Sequence, residues 1–279
     1  MSLVSKASNG KYQIDSVAAF CDLQNGKLPA DSKSFLELIG SFDKAILKEN
    51  PKISSGALNN VHGKWYEWFI TICACNYHKK FPKKYMVFTL PNIRQYDVAK
   101  LYNEELYEYI VDLRQKVKSS AAVQLISSNP DFVIIDPKRI KIPKELNRTI
   151  TKIDKNIIHQ IDKAYEFLTG KCGFEDIVGY ISCKTSLRPD RRLQMSHEGS
   201  LMKAIYTHLQ TRQWVIKPKG LKYYAITTEA KAADRKALKT VATHSITTVF
   251  DKPQAAVDEL FKVDSFKECE AVFDRILTP

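Results

Sequence analysis

Four consecutive residues, Phe132-Val133-Ile134-Ile135, carry no polar side chain. A strand with one wet face alternates apolar and polar residues, so a short run that is apolar throughout suits a strand covered on both sides. Covering both sides demands layers, and the material available for them has helical spacing. Residues 14–24 and 31–48 repeat apolar side chains at helical intervals, the second helix opening at Asp31 or Ser32 as N-cap. Further helices are expected over 56–79, rich in aromatics around Trp65, Tyr66 and Trp68, over 95–117, and over 153–169, where Ile153, Ile157, Ile161, Ala164 and Leu168 form one stripe. Additional strands are expected at Tyr85–Leu90, Ala122–Ile126, Val178–Lys184, Trp214–Lys217 and Tyr223–Ile226. The fold class is therefore α/β, a sheet between helices, with a helical N-terminal portion over about 1–80 and a core over about 81–279. With 279 residues, 44% of them hydrophobic, and no repeat or Pro/Gly-rich linker, one domain is expected.

Charge narrows the partners. Lys and Arg number 43 against 31 Asp and Glu, a formal +12. Such an excess favours a polyanion through counterion release, although a basic protein of no special affinity has the same composition. No run approaches the roughly 18 apolar residues of a membrane span. The start, Met1-Ser2-Leu3-Val4-Ser5-Lys6, lacks a secretory apolar region, so a cytoplasmic location without membrane contact is expected. Of six cysteines only Cys73 and Cys75 are close, and C-x-C lacks the paired spacing of a zinc site; reduced, partly buried thiols are expected.

Three residues break the local apolar logic. Asp131, after Asn129-Pro130, stands at the entrance to the buried strand, where Pro-Asp is also ordinary turn chemistry. Lys184 ends the strand 178–184 and shares a face with Ser182, while Ile181 and Cys183 face the core; it is either a solvated edge residue or an ammonium poised over a phosphate. Glu198 starts a helix and falls on the stripe of Leu201, Met202, Ile205 and Leu209. A carboxylate there needs a partner: it caps the helix or ligates a metal. Together they read Pro130-Asp131, Ser182-x-Lys184, then Glu198 after thirteen further residues. Two carboxylates and a lysine suit phosphodiester hydrolysis assisted by Mg²⁺, a hard cation that prefers oxygen ligands.

Arg188-Pro189-Asp190-Arg191 reads as a loop with base-reading chemistry, since Arg can bridge O6 and N7 of guanine and Asp can accept from cytosine N4. A solvated basic loop touching phosphates is the plainer account. Arg192 stays unassigned. His197 and His244 are read as structural, because metal-assisted hydrolysis needs no histidine base. Arg212-Gln213-Trp214 pairs Arg with Trp, as interfaces often do, and is otherwise core edge.

The pattern resembles the PD-(D/E)XK nuclease superfamily, with Ser182 where a second acid is usual. One branch has this departure and supplies the carboxylate from the next helix as P-D … S-x-K-x₁₃-E: the CCGG-specific type II restriction endonucleases, among them RCCGGY-specific enzymes of the BsrFI type. The resemblance runs from Lys64-Trp65-Tyr66-Glu67-Trp68 to Thr243-His244-Ser245-Ile246 and is strongest over 184–194 and 197–204. It implies a restriction-endonuclease core with a central mixed β-sheet flanked by helices. It also implies Mg²⁺-dependent cleavage of double-stranded DNA leaving 5′-phosphate ends. Asp131, Lys184, Glu198 and Glu67 are implied as catalytic, with Asp131, Glu198 and Glu67 on the metal and Glu67 in a second-metal or orienting role. Arg188, Asp190 and Arg191 are implied to read the DNA, the protein to be a dimer of dimers, and a cognate DNA methyltransferase to be its functional counterpart. Alternatives left open are a non-catalytic DNA-binding protein and a structure-specific repair nuclease.

Overall fold

The computed structural model describes residues 2–8, 10–93, 95–123, 125, 129–246 and 253–278. The chain opens with an antiparallel hairpin of β1 (Val4–Lys6) and β2 (Tyr12–Ile14). Strands this short carry too few residues to show a period, and this hairpin precedes the helices expected in the N-terminal portion. Helices α1 (Ser16–Asp22), α2 (Phe35–Glu49) and α3 (Ser55–Lys80) follow. Each begins on a side chain that accepts an otherwise orphaned amide: Asp15 from Ala18, Ser34 from Glu37, Ser54 from Ala57. The cap of α2 is thus Ser34 rather than Asp31 or Ser32, and Ser34 Oγ also donates to Asp264 Oδ2 at 2.6 Å, tying it to the far end of the chain.

After β3 (Met86–Thr89) the expected helix over 95–117 is split into a 3₁₀ turn, Val98–Leu101, and α4 (Glu104–Ala121). Asn103 breaks it by taking an extended backbone and accepting from Leu106 N, with Glu104 and Glu105 favourable at the new N-terminus. Next come β4 (Phe132–Ile135), α5 (Lys155–Lys163) tightening into a 3₁₀ turn over Ala164–Leu168, and β5 (Ile177–Lys184). The chain ends with α6 (Pro189–Arg212), β6 (Lys222–Thr227), α7 (Ala232–Leu238), β7 (Glu259–Lys262) and α8 (Phe266–Ile276).

Two expected strands fail. At 122–126, Ala122 ends α4 in the left-handed region (φ 53°), and neither it, Val123 nor Leu125 is in a strand; Gln124 and Ile126 lie outside the described residues. At 214–217, Trp214 has φ 54° and Val215 N returns to Gln210 O, so the segment turns out of α6 into solvent.

The five long-range strands form one mixed sheet in the order β3-β4-β5-β6-β7, the first two pairings antiparallel and the last two parallel. All four residues of β4 are buried. Phe132 and Ile134 pack with Tyr66, Phe69 and Phe273 on the α3–α8 face. Val133 and Ile135 pack with Ile110, Met202 and Leu209 on the α4–α6 face. The two-sided burial read from the apolar run is what the sheet provides. All six cysteines are free thiols, and among the described residues no helix is long and apolar enough to cross a membrane.

Candidate active site

The pairing of β4 with β5 sets Phe132 opposite Ile181, which brings Ser182-Cys183-Lys184 across from Asp131. Asp131 is 2% exposed, and Leu90 N donates to its carbonyl at 2.8 Å, so its position is fixed from both neighbouring strands. Its Oδ2 accepts from Cys183 N at 2.6 Å, from Lys184 Nζ at 2.9 Å and from Ser182 Oγ at 3.3 Å. Cys183 therefore contributes its amide, while its side chain is buried in the core as strand alternation requires. Burial by itself would lower the Lys184 pKa. The Asp131 charge and hydrogen bond, with smaller contributions from Glu198 and Glu67, outweigh that and hold the amine above its ordinary range, so it stays an ammonium.

Glu67 reaches the same place from α3, on the opposite face of the sheet. Burial pushes its carboxyl up, the Asp131 charge adds to this, and Lys64, 3.8 Å away, and Lys184 offset only part; the result is about 8. The neighbouring indole is not its partner, since Trp68 Nε1 donates to Asp162 Oδ1 at 2.8 Å.

Glu198 belongs to the middle of α6, not to its start. The helix opens instead at Arg188-Pro189-Asp190-Arg191, which corrects both the loop expected there and the capping role considered for Glu198. Arg188 is the extended N-cap residue, Pro189 sits in the first turn where no N–H is needed, and Asp190 lies at the positive end of the helix. Glu198, 1% exposed, accepts from Gln194 Nε2 and from Tyr223 OH, both at 2.7 Å. Burial, then the Glu198 charge, keep the Tyr223 phenol well above its usual pKa, so it remains a donor.

A mostly polar cavity of about 280 Å³ opens beside these groups, lined by Glu67, Lys184, Arg191 and Gln194 with the amides of Asn59 and Asn92. Asp131, Lys184, Glu67 and Glu198 are thus brought together. Of the expected DNA readers, Arg191 lines this cavity and bonds Ser186 O and Oγ at 3.1 Å. Arg188 and Asp190 pair with each other at 3.0 Å on the surface, each about two-thirds exposed. Arg192 goes to Asp234 at 2.6 Å, His197 is exposed, and His244 meets Thr207 Oγ1 at 3.5 Å. Tyr223, Asn59 and Asn92 carried no local signal, whereas Gln194, four residues before Glu198, was within reach of a helical count.

Among the described residues no three His, Cys, Asp or Glu side chains converge tightly enough to hold an ion alone. The donor set still fits a divalent cation. Glu67 and Asp131 are two buried carboxylates close enough for one to raise the pKa of the other, a repulsion that a cation relieves. A hard ion that keeps several waters needs only one or two carboxylates beside a substrate phosphate.

Comparison with known proteins yields one family and a set of solved relatives. Residues 3–279 match the model of the Cfr10I/Bse634I restriction endonuclease family. The type II restriction enzyme Cfr10I of Citrobacter freundii is 42% identical over 287 aligned residues, covering 100% of both chains. A crystal structure of the Type IIF restriction endonuclease Bse634I with cognate DNA superposes with a TM-score of 0.88 at 33% identity, over 98% of this chain and 97% of that one. A second Bse634I structure gives the same score and identity over 99% and 98%.

Proposed function

The chain belongs to the Cfr10I/Bse634I family of type II restriction endonucleases, site-specific deoxyribonucleases, and from that premise we propose that it cuts both DNA strands at a CCGG-centred palindrome with Mg²⁺ as cofactor. The outer pairs are those of RCCGGY, as in enzymes of the BsrFI type. The observation that carries the reading is the cradle around Asp131: one carboxylate oxygen held by a backbone amide, a hydroxyl and an ammonium beside a polar cavity.

Restriction endonucleases of this kind usually need a divalent metal. Asp131 and Glu198 hold it, with Glu67 in a second-metal or orienting role. Bound there, Mg²⁺ supplies a Lewis acid that withdraws charge from the scissile phosphate. Lys184, fixed as an ammonium, steadies the charge that builds on the non-bridging oxygens. Water adds to phosphorus, the P–O3′ bond breaks, and the 3′ oxygen takes a proton, leaving 5′-phosphate and 3′-hydroxyl ends. Arg188, Asp190 and Arg191 enter the major groove at the head of α6 and read the central C·G pairs.

A palindrome implies two-fold protein symmetry with one site per strand. Two such dimers assemble back to back, and Trp214 and Ile216, 88% and 90% exposed, provide apolar surface for that contact. The whole chain acts as one endonuclease domain in the cytoplasm, and a cognate DNA methyltransferase protects the host genome. Plasmid DNA incubated with and without Mg²⁺ tests the function. Discrete bands are expected only with Mg²⁺, and Asp131→Ala and Glu198→Ala abolish them while retaining CCGG binding. A smear or branch-dependent nicking indicates a repair nuclease instead, and no cutting indicates a DNA-binding protein.

A further inference from the structure

Glu198 is held in a different manner from Asp131. Its two oxygens each accept from a neutral donor, Oε1 from Gln194 Nε2 and Oε2 from Tyr223 OH, both at 2.7 Å. A donor on each oxygen fixes the plane of a carboxylate. An arginine or lysine in the place of Tyr223 would neutralise the group and compete with a cation, whereas a phenol and an amide orient it and leave its charge.

The phenol is itself rigidly placed. Tyr223 is fully buried, and its backbone N donates to Asp258 Oδ2 at 2.8 Å. The same oxygen accepts from Lys203 Nζ at 2.6 Å, a buried residue of α6 that also donates to Ala255 O. Helix α6 and strand β6 are therefore registered on one carboxylate, just beyond the point where Tyr223 meets Glu198. Ser182 Oγ lies within hydrogen-bond reach of the Tyr223 phenol and also of Asp131 Oδ2, at 3.3 Å from the latter. A path of contacts thus runs through the buried Asp131, Ser182, Tyr223 and Glu198 to the exposed Gln194, with the one Ser182 proton serving either Asp131 or the phenol oxygen at a time.

We propose that Tyr223 and Gln194 are positioning residues that set the Glu198 carboxylate for the divalent cation, with Ser182 linking that carboxylate to Asp131. The assignment rests on the reading of Glu198 as a metal ligand. Outer partners of this kind typically account for 10–100-fold in metal affinity.

The test measures Mn²⁺ binding to the full-length protein by electron paramagnetic resonance of the free ion. Parallel measurements are the melting midpoint, CCGG-duplex affinity in EDTA, and the Mg²⁺ concentration for half-maximal single-turnover cleavage. Tyr223→Phe keeps the ring and is expected to weaken Mn²⁺ binding about 10-fold, to shift the Mg²⁺ requirement upward in parallel, and to be rescued by excess Mg²⁺. Gln194→Ala, at an exposed position, shifts both in the same direction and decides the matter if Tyr223→Phe fails to fold. Glu198→Gln separates the two levels of the argument. If Glu198→Gln weakens Mn²⁺ binding and neither other variant does, the positioning role is overturned while the metal assignment stands. If Glu198→Gln leaves Mn²⁺ binding unchanged, the metal assignment fails and the positioning role with it.

Discussion

Glu67 keeps its proton up to about pH 8 because it is buried and because Asp131 already holds a negative charge nearby. Its ordinary value is 4.5, so the folded protein binds this proton more tightly than the unfolded chain. The resulting stability is fully present below about 4.5 and is lost as pH rises toward about 8. Glu67→Gln, which mimics the protonated form, should raise the melting midpoint of the metal-free protein more at pH 8.5 than at pH 5. An equal effect at both would show that the Glu67 carboxyl is not held above its ordinary range. Asp190 offers a second test at this scale, since in the proposed DNA-reading position an exposed acid would repel phosphate and be useful only to accept from cytosine or to orient Arg188, 3.0 Å away. Arg188→Ala and Asp190→Ala should each reduce discrimination for CCGG by about 1–3 kcal/mol. Paired titrations of CCGG and scrambled duplexes in Ca²⁺ read this directly. Equal weakening on both duplexes would reassign these residues to phosphate contacts.

Under the proposed function, helix α6 joins reading to cutting. Asp190 and Glu198 lie eight residues apart on it, about 12 Å along the axis at 1.5 Å per residue, so one rigid rod sets the distance between the proposed base contact and the proposed metal ligand. The rod is seated by close approach at Gly199, where an added Cβ would lie 2.1 Å from Ala256 O, a backbone atom, and 3.0 Å from the Tyr223 ring. Gly199→Ala must therefore displace α6 or the 255–257 segment. A loss of about 1–3 kcal/mol is expected, seen as a fall of several degrees in the melting midpoint, with cleavage reduced further because the preceding residue is Glu198, the proposed metal ligand. A midpoint within a degree of the parent would mean that the helix has room to move.

At the scale of the molecule, a charge of +12 favours DNA of any sequence, and the exposed head of α6 is the part proposed to distinguish one site from another. Assembly is a separate property. Trp214 and Ile216 stand almost fully exposed on the turn after α6, an expensive arrangement for a monomer in water. Under the proposed dimer-of-dimers assembly, Trp214→Ala should convert a four-chain species into dimers in sedimentation velocity without touching the proposed cleavage groups. Sedimentation identical to that of the parent would remove this turn from the interface.

Much of the site was legible before any fold. Glu198 stands out as a charge on a stripe that the local period buries, and burial of a charge needs a reason; Asp131 and Lys184, each open to a plain reading alone, gain weight only from the combined order Pro-Asp, Ser-x-Lys and Glu. The strand 132–135 and the stripes of 153–169 and 198–209 were legible for the same cause: periodicity reports which face of an element is hidden. It does not report what hides it. The split of 95–117 at Asn103, the start of α6 at Pro189 and the turn at Trp214 turned on caps, 3₁₀ tightening and single left-handed residues, which override an apolar repeat locally. Tyr223 read as one more core aromatic; only the parallel pairing of β5 with β6, and the seating of α6 across them, gave its hydroxyl the partners Glu198 and Ser182. The sequence by itself determined which charges had to be accommodated inside this protein. Strand order and register decided how they meet, because a hydrogen bond depends on tenths of an ångström between residues far apart in the chain.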